Sequence, residues 1–363
     1  MYNILVIGAG KIGTLIACLL SESKRYQVFL TDSAMDTFDM HALGTQSEAI
    51  QCLSLKAEDK LQLTQCIVQN QIQAVVSCLP YHLNYLVAVI AREQKIHYFD
   101  LTEDRRNTEK VIELALEASS AFVPQCGLAP GFISIVAHEL MQHFDTLDAV
   151  LMRVGALPVH PNNTLKFALT WSTEGLINEY GSPCVGIKNG KQVILQPLEG
   201  RETIQIDGLL YEAFHTSGGL GSLAKTYENR VKTMNYKTLR YPGHCEKMRF
   251  LMNDLKLNDH REDLKVMLER AIPKTTQDVI LVYVAVSGKK NKDFIEETFF
   301  KKIYPMEFVG RKWSAIQTTT ASGLCSVLDI VMKSPQKYQG LVLQEQFSLR
   351  DIKQSHFGKC YDI

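Results

Sequence analysis

Short apolar runs alternate with amphipathic stretches through the first third of the chain. Tyr2-Asn3-Ile4-Leu5-Val6-Ile7 reads as a buried strand, residues 14–20 as a helix, and Gln27-Val28-Phe29-Leu30-Thr31 as a second strand. Residues 74–79 form another apolar run that Pro80 stops, followed by a helical pattern over 83–94. Residues 97–101 predict a strand, 108–119 a helix and 121–124 a further short strand. Strands alternating with helices predict an α/β fold, a Rossmann-type doubly wound parallel sheet.

The pattern changes after Gly127-Leu128-Ala129-Pro130-Gly131. One helix is expected over 132–143, and then the strands lengthen. Residues 149–157 and 165–171 read as neighbouring strands joined by a turn-rich connection. Residues 184–187 and 192–195 flank Asn189-Gly190, a strong hairpin signal. Residues 279–287 and 294–299 flank Gly288-Lys289-Lys290-Asn291 in the same way. This predicts a second α+β domain built on a largely antiparallel sheet with few helices. Residues 321–333 turn helical again. The expected division is 1–130, 131–317, and a return segment, 318–363, packing on the first domain.

The chemistry begins at the end of the first strand, with Gly8-Ala9-Gly10-Lys11-Ile12-Gly13. A glycine triplet of this spacing is weak alone. Between a strand and a helix, with Asp32 closing the next strand, it is a dinucleotide-binding fingerprint. Gly8 permits the tight turn, Gly10 lets backbone approach a pyrophosphate at the helix N-terminus, and Gly13 lets helix and strand pack closely. Asp32 is placed to accept from both ribose hydroxyls and would repel a 2′-phosphate. No Arg follows it directly, so the expected cofactor is NAD. Ligands of such sheets lie at the carboxyl ends of strands, which draws attention to Ser33, to Cys78, Leu79 and Pro80 beneath the nicotinamide, to Asp100, and to Cys126 and Gly127.

The bulk properties exclude several classes. Among 363 residues, Lys plus Arg and Asp plus Glu number 39 each, so no global basic field argues for nucleic acid or an anionic membrane. Nine cysteines without a Cys-x-x-Cys pair fit free thiols in a reducing compartment and give no metal signature. The first strand starts almost at Met1, and no apolar run looks long enough to span a bilayer. The expectation is a cytoplasmic protein.

Four later phrases, in order, carry a resemblance. They are Cys126-Gly127-Leu128-Ala129-Pro130-Gly131, Trp171-Ser172-Thr173-Glu174-Gly175, Glu212-Ala213-Phe214-His215-Thr216-Ser217-Gly218-Gly219 and Tyr236-Lys237-Thr238-Leu239-Arg240-Tyr241-Pro242-Gly243-His244. With the fingerprint, they make the chain resemble the saccharopine dehydrogenase family over nearly its whole length. Within the family, the Ala-Phe-His-Thr-Ser-Gly-Gly phrase and the length point to the branch that oxidises the 6-amino group of L-lysine. The resemblance also implies that saccharopine-reducing members carry Arg where this chain has Glu174. A carboxylate there would repel a carboxylate-rich ligand and attract an amine. Glu174 equally fits a helix N-terminal acid.

The implied reaction is NAD-dependent oxidative deamination of a small amino acid. A lysine amine, with an unperturbed pKa of ~10.4, must lose a proton before it can release hydride. His215 is the first candidate for that acid–base work, His244 the second, with a satisfied core histidine as the rival for each. Asp100 is a candidate to anchor or deprotonate the ammonium and equally a cap of the following turn. Arg240 or Lys237 is a candidate partner of the α-carboxylate. Tyr81, Cys126, Gly127 and Thr216 are candidate pocket residues. The hydroxyls and amides of Thr318-Thr319-Thr320 are candidates to close over a ligand, or an N-cap cluster. Reductive condensation of an aldehyde with an amine, and a silent scaffold, are the rival functions. The long sheet leads to an expected homodimer or homotetramer.

Overall fold

The computed structural model describes residues 1–361. Contacts divide the chain into two units. The first comprises Met1–Phe132, Met306–Trp313 and the chain from Gln317 onward; the second comprises Ile133–Pro305 and Ser314–Ile316.

In the first unit, the predicted strands are β1 (Tyr2–Ile7), β2 (Tyr26–Asp32), β4 (Ala74–Ser77), β5 (His97–Asp100) and β6 (Ala121–Val123), with β3 (Ile50–Ser54) inserted between β2 and β4. Helices α1 (Lys11–Glu22), α2 (Lys60–Gln69), α3 (Asn84–Glu93) and α4 (Arg105–Ala115) link them. The strands are parallel in the order β6-β5-β4-β1-β2-β3, and the short strand Gly340–Leu341 joins beyond β6. Chain order reverses at β1, which pairs with β4 on one side and β2 on the other. That switch point opens a crevice at the carboxyl ends of β1 and β4. Leu5 and Ile7 share a core with α2, α3 and α4 residues such as Leu63, Val87 and Val111. Ile4 and Val6 are equally buried and point to the other face by the strand period, as a sheet covered on both sides requires. The sequence reading passed over β3 and α2, and it placed α4 three residues late. Asp104 caps α4 by accepting from Asn107 N–H at 2.8 Å.

From α5 (Phe132–Met141) the chain enters the second unit. Its sheet comprises β7 (Thr146–Pro158), β8 (Cys184–Lys188), β9 (Lys191–Leu195), β10 (Glu202–Ile206), β11 (Leu209–His215), β12 (Val231–Arg240), β13 (Asp278–Lys290) and β14 (Asp293–Ile303). The order is β10-β11-β12-β7-β13-β14, with β8 and β9 attached beside β12. All pairings are antiparallel except β12 with β7. Residues 165–171 are a correction to the sequence reading. They form no strand, touching Lys274 only through an isolated bridge at Leu169, and β7 instead lies between β12 and β13. The Asn189-Gly190 hairpin forms with positive φ at both residues, as a two-residue turn needs. The β13–β14 turn falls at Asn291-Lys292, and Gly288 lies inside the strand at a register shift.

Helices are more numerous here than expected. Helices α6 (Thr173–Gly181), α7 (Leu223–Thr226), α8 (His244–Arg249) and α9 (Arg261–Ala271) belong to this unit. One cluster joins Leu176, Ile177 and Tyr180 of α6, Met248 of α8, and Leu264 and Leu268 of α9 to Phe214 of β11. A second cluster contains Leu157, Tyr211, Ala213, Leu239 and Leu281, all from strands. Neighbours Ala213 and Phe214 belong to different clusters because successive side chains on a strand point to opposite faces.

The long helix α10 (Ala315–Lys333) begins earlier than predicted. Its N-terminus is capped by buried Asp278, whose carboxylate accepts from Ala315 N–H at 2.6 Å and Ile316 N–H at 2.9 Å. Thr318-Thr319-Thr320 therefore lies within helical turns and is no N-cap cluster. By length and apolarity alone α10 passes as a membrane span, contrary to the sequence expectation, but 83% of its apolar window is buried, as in a core helix.

Candidate functional site

The glycine turn of the first unit is built by close approach. A Cβ at Gly13 would collide with the Gly8 carbonyl oxygen. Gly8 has φ +104°, and a Cβ on it would meet the Cys78 carbonyl at 2.8 Å. Gly10 differs, since a Cβ there meets nothing within 4 Å. Gly10 is also the N-cap of α1, contributes no side-chain cap, and is followed by no acid in the first turn. The amides of Lys11, Ile12 and Gly13 therefore head a helix whose first turn carries no acid, with open space beside Gly10. That geometry fits a pyrophosphate.

Asp32 ends β2, and its carboxylate accepts from Ala9 N–H at 2.8 Å and from Ala34 N–H at 2.9 Å. It is thereby fixed beside the turn, with exposed Ser33 following. Cys78 N–H donates to the Ile7 carbonyl at 2.8 Å, which brings Cys78, Leu79 and Pro80 against the same turn. Burial pushes the Cys78 thiol up to about 12, and Asp100 adds to it. Tyr81 opens a short 3-10 turn directly after Pro80.

Asp100 is fully buried at the end of β5. One carboxylate oxygen accepts from Tyr98 OH at 2.8 Å; the other accepts from Thr102 N–H at 3.0 Å and Gln125 N–H at 2.9 Å. Burial raises its pKa, and these donors oppose the rise. Of the two sequence readings, the contacts match the cap, extended to a pin between β5 and the 125–126 segment. Cys126 N–H donates to the Asp100 carbonyl, and its thiol is held by the Val123 carbonyl at 3.0 Å and by Gln344 at 3.4 Å. Burial raises this thiol well above its ordinary value, so Cys126 is a neutral wall residue. Gly127 sits against Thr320 and, through its carbonyl, against Gly323 of α10.

The second unit divides the remaining candidates. Pairing of β11 with β12 sets His215 opposite Lys237, Phe214 opposite Thr238 and Glu212 opposite Arg240. Lys237 in turn neighbours Arg153 of β7. His215, Lys237 and Arg153 thus form one row, on the face that carries Ala213 and Leu239. Glu202 bridges it, with Oε1 2.6 Å from Arg153 Nε and Oε2 2.6 Å from Lys237 Nζ. His215 packs over Gly200, and its Nδ1 is buried without a hydrogen-bond partner. Burial, then the Lys237 cation, hold its pKa below the usual histidine value.

Arg240, His244 and Thr216 belong to the other face, with Phe214. Arg240 is 3% exposed. Its Nε donates to Tyr180 OH at 2.8 Å and its Nη1 to the Leu239 carbonyl at 2.8 Å. The guanidinium lies 5.2 Å from the Phe167 ring centroid and 5.8 Å from that of Tyr180. Tyr180 OH lies 3.2 Å from His244 Nε2, and His244 Nδ1 donates to the Leu165 carbonyl at 2.9 Å. Burial, reinforced by Arg240, lowers the His244 pKa to about 3. With both ring nitrogens engaged, His244 is a neutral structural histidine here. Thr216 and Thr238 hydroxyls meet at 3.0 Å.

Alternation along β11 and β12 separates the two candidate carboxylate partners: Lys237 shares a face with His215, and Arg240 lies on the other. Glu174 lies in the first turn of α6 behind the Ser172 cap, and its ion-pair neighbour is Lys265 of α9 at 3.9 Å. Its macrodipole reading is the one these contacts match. Sequence reasoning missed Tyr180, and it missed Glu179, a buried α6 carboxylate whose charge adds to the burial that raises both Tyr180 and Tyr236. The helical period of 173–181 was the available signal. Among the described residues, no group of three His, Cys, Asp or Glu side chains is placed to hold a metal ion.

Comparison with known proteins follows this division. The family model for the saccharopine dehydrogenase NADP binding domain matches residues 4–123, and that for the saccharopine dehydrogenase C-terminal domain matches residues 127–359. The mitochondrial alpha-aminoadipic semialdehyde synthase of Rattus norvegicus is 22% identical over 321 residues, covering 83% of this chain and 33% of the relative. That of Bos taurus is 24% identical over 268 residues, covering 68% of this chain and 27% of the relative. The chain therefore spans about one third of the length of the curated relatives it matches. Saccharopine dehydrogenase (L-Glu forming) from Saccharomyces cerevisiae, in its apo form, shares the fold with a TM-score of 0.76 at 16% identity, covering 97% of this chain and 96% of that one. The first unit is a pyridine-nucleotide-binding domain, and the chain belongs to the saccharopine dehydrogenase family of oxidoreductases.

Proposed function

We propose that this chain is an NAD-dependent dehydrogenase acting at the C–N bond of an amino-acid side chain, with L-lysine as substrate. In that reaction L-lysine, NAD and water give 2-aminoadipate 6-semialdehyde, ammonia and NADH: an L-lysine 6-dehydrogenase. The observation that carries the cofactor reading is Asp32, held at the end of β2 by Ala9 and Ala34 N–H. A carboxylate there accepts from free ribose hydroxyls and repels a 2′-phosphate. NAD is preferred on this ground, although the matching family description mentions NADP. Gly10 and the first amides of α1 would hold the pyrophosphate, and the nicotinamide supplies hydride acceptance when bound. The substrate reading rests on the Ala-Phe-His-Thr-Ser-Gly-Gly phrase.

One observation favours a second reading, pyridine-nucleotide-dependent interconversion of saccharopine. Glu174 has Lys265 as its neighbour, which weakens the charge argument separating an amine from a carboxylate-rich substrate. The relatives carry names from saccharopine and aminoadipic semialdehyde chemistry.

The test is NADH formation from NAD with L-lysine, saccharopine and L-ornithine in parallel, with ammonia and glutamate measured. NADH and ammonia from lysine alone support the first reading. Glutamate release from saccharopine replaces it with the second. Silence with all three, with no NADH-induced rise in unfolding temperature, would indicate a scaffold without catalysis.

A further inference from the structure

We propose that the second unit contains a carboxylate receptor, with Arg240 as its charged group and Tyr180 as the residue that positions it. This deepens the reading above, on which it rests only for the ligand's identity: the α-carboxylate of an amino-acid substrate.

The argument starts from a missing partner. A buried guanidinium ordinarily takes a carboxylate, since an unpaired buried charge is expensive. The β11–β12 register supplies one directly opposite, Glu212. Glu212 turns away instead, and its two oxygens accept from Gly243 N–H at 3.0 Å and Cys245 N–H at 2.6 Å. Arg240 therefore makes no ion pair with the carboxylate that faces it across the ladder, and the buried Glu179 of α6 bears with it on the Tyr180 and Tyr236 hydroxyls. The rings of Phe167 and Tyr180 offset part of the cost by cation–π attraction. Nε and Nη1 carry these two hydrogen bonds, which leaves Nη2 as the remaining donor edge. The remaining edge of a guanidinium set beside two aromatic rings is suited to a carboxylate.

Tyr180 sets the direction of that edge. His244 Nδ1 donates to the Leu165 carbonyl, so Nε2 carries the lone pair. Tyr180 OH therefore donates to His244 Nε2 and accepts from Arg240 Nε. Each hydrogen bond fixes the next, and the hydroxyl has one orientation that satisfies both neighbours. Phenylalanine at 180 would keep the ring and release the guanidinium plane.

The experiment compares ligands with and without the carboxylate. L-Norleucine retains the α-carboxylate and lacks the reacting amine, and 1,5-diaminopentane has the amines and no carboxylate. In Tyr180→Phe, we expect norleucine binding by calorimetry to weaken about tenfold, as for a lost hydrogen bond to a charged group. The KM for L-lysine should rise similarly, with diaminopentane binding unchanged. Arg240→Lys, which keeps charge and loses the fork, should show the same selective loss. Equal weakening of both ligands, or unaltered norleucine binding in either folded variant, overturns the receptor. Norleucine binding lost selectively in a protein that oxidises no amine keeps the receptor and rejects the proposed reaction. Lysine oxidation with unchanged KM in both variants does the reverse.

Discussion

Arg240 and Glu212 stand directly opposite each other across the β12–β11 ladder and do not form an ion pair. Strand register alone would join them. The carboxylate is drawn instead to two backbone N–H groups at the start of α8, and the guanidinium to Tyr180 and two aromatic rings. The arrangement keeps a cation buried in the second unit without an ion pair to the residue facing it.

Glu212→Ala tests the cap. It leaves the Gly243 and Cys245 amides without their acceptor, and a loss of about 1–3 kcal/mol is expected from denaturant unfolding. Stability within about 0.5 kcal/mol of the parent would mean that water or another group replaces the carboxylate.

Asp32→Ala tests cofactor choice. The variant should bind NADH about tenfold more weakly and gain in relative use of NADPH, measured by fluorescence titration with each. An unchanged ratio of the two affinities removes the ribose assignment, and NADP then becomes the better reading.

His215→Asn separates the sequence expectation from the structure. Acid–base work by His215 predicts a collapse of turnover. Its location in the Lys237–Arg153–Glu202 row, on the face opposite Arg240, predicts turnover within a few-fold of the parent. Steady-state kinetics with the substrate proposed above decide between them, and a loss of ~100-fold or more restores the catalytic role.

His244 makes acid stability a further test. It is neutral in the folded chain, with its pKa lowered from 6.5 to about 3 by burial and by Arg240. Between those values the unfolded chain binds the proton and the folded chain does not. Stability therefore falls as pH drops from 6.5 toward 3, by up to about 1.4 kcal/mol per pH unit from this group. His244→Gln should flatten that part of the pH–stability curve. An unchanged slope would mean that His244 is protonated in the fold.

The nucleotide half was largely legible in the sequence because its chemistry is local. Gly8, Gly10, Gly13 and Asp32 lie within one strand–turn–helix–strand unit, and period, glycine spacing and the closing acid specify that unit without long-range contacts. The parallel sheet followed from alternation, although β3 was missed because Ile50-Gln51-Cys52-Leu53-Ser54 is short and weakly patterned. The Asn189-Gly190 hairpin was legible for the same local reason.

The second unit was legible in class and not in arrangement. The sequence reading assigned no strand to 202–215 or 231–240; pairing of β11 with β12 puts His215, Lys237 and Arg240 on strands, and alternation decides that the first two share one face and the third the other. Asp100 looked equally suited to ligand or cap until Tyr98, Thr102 and Gln125 were seen to surround it. Glu174 suited a substrate charge and a helix N-terminal acid equally, and α9 brings Lys265 beside it. Tyr180 carried no motif at all, and it matters because folding places its hydroxyl between a guanidinium and an imidazole 60 and 64 residues away. Local period and turn chemistry set the elements and the nucleotide site. Which polar groups meet is decided by strand pairing and helix packing, because those contacts join residues that no local pattern connects.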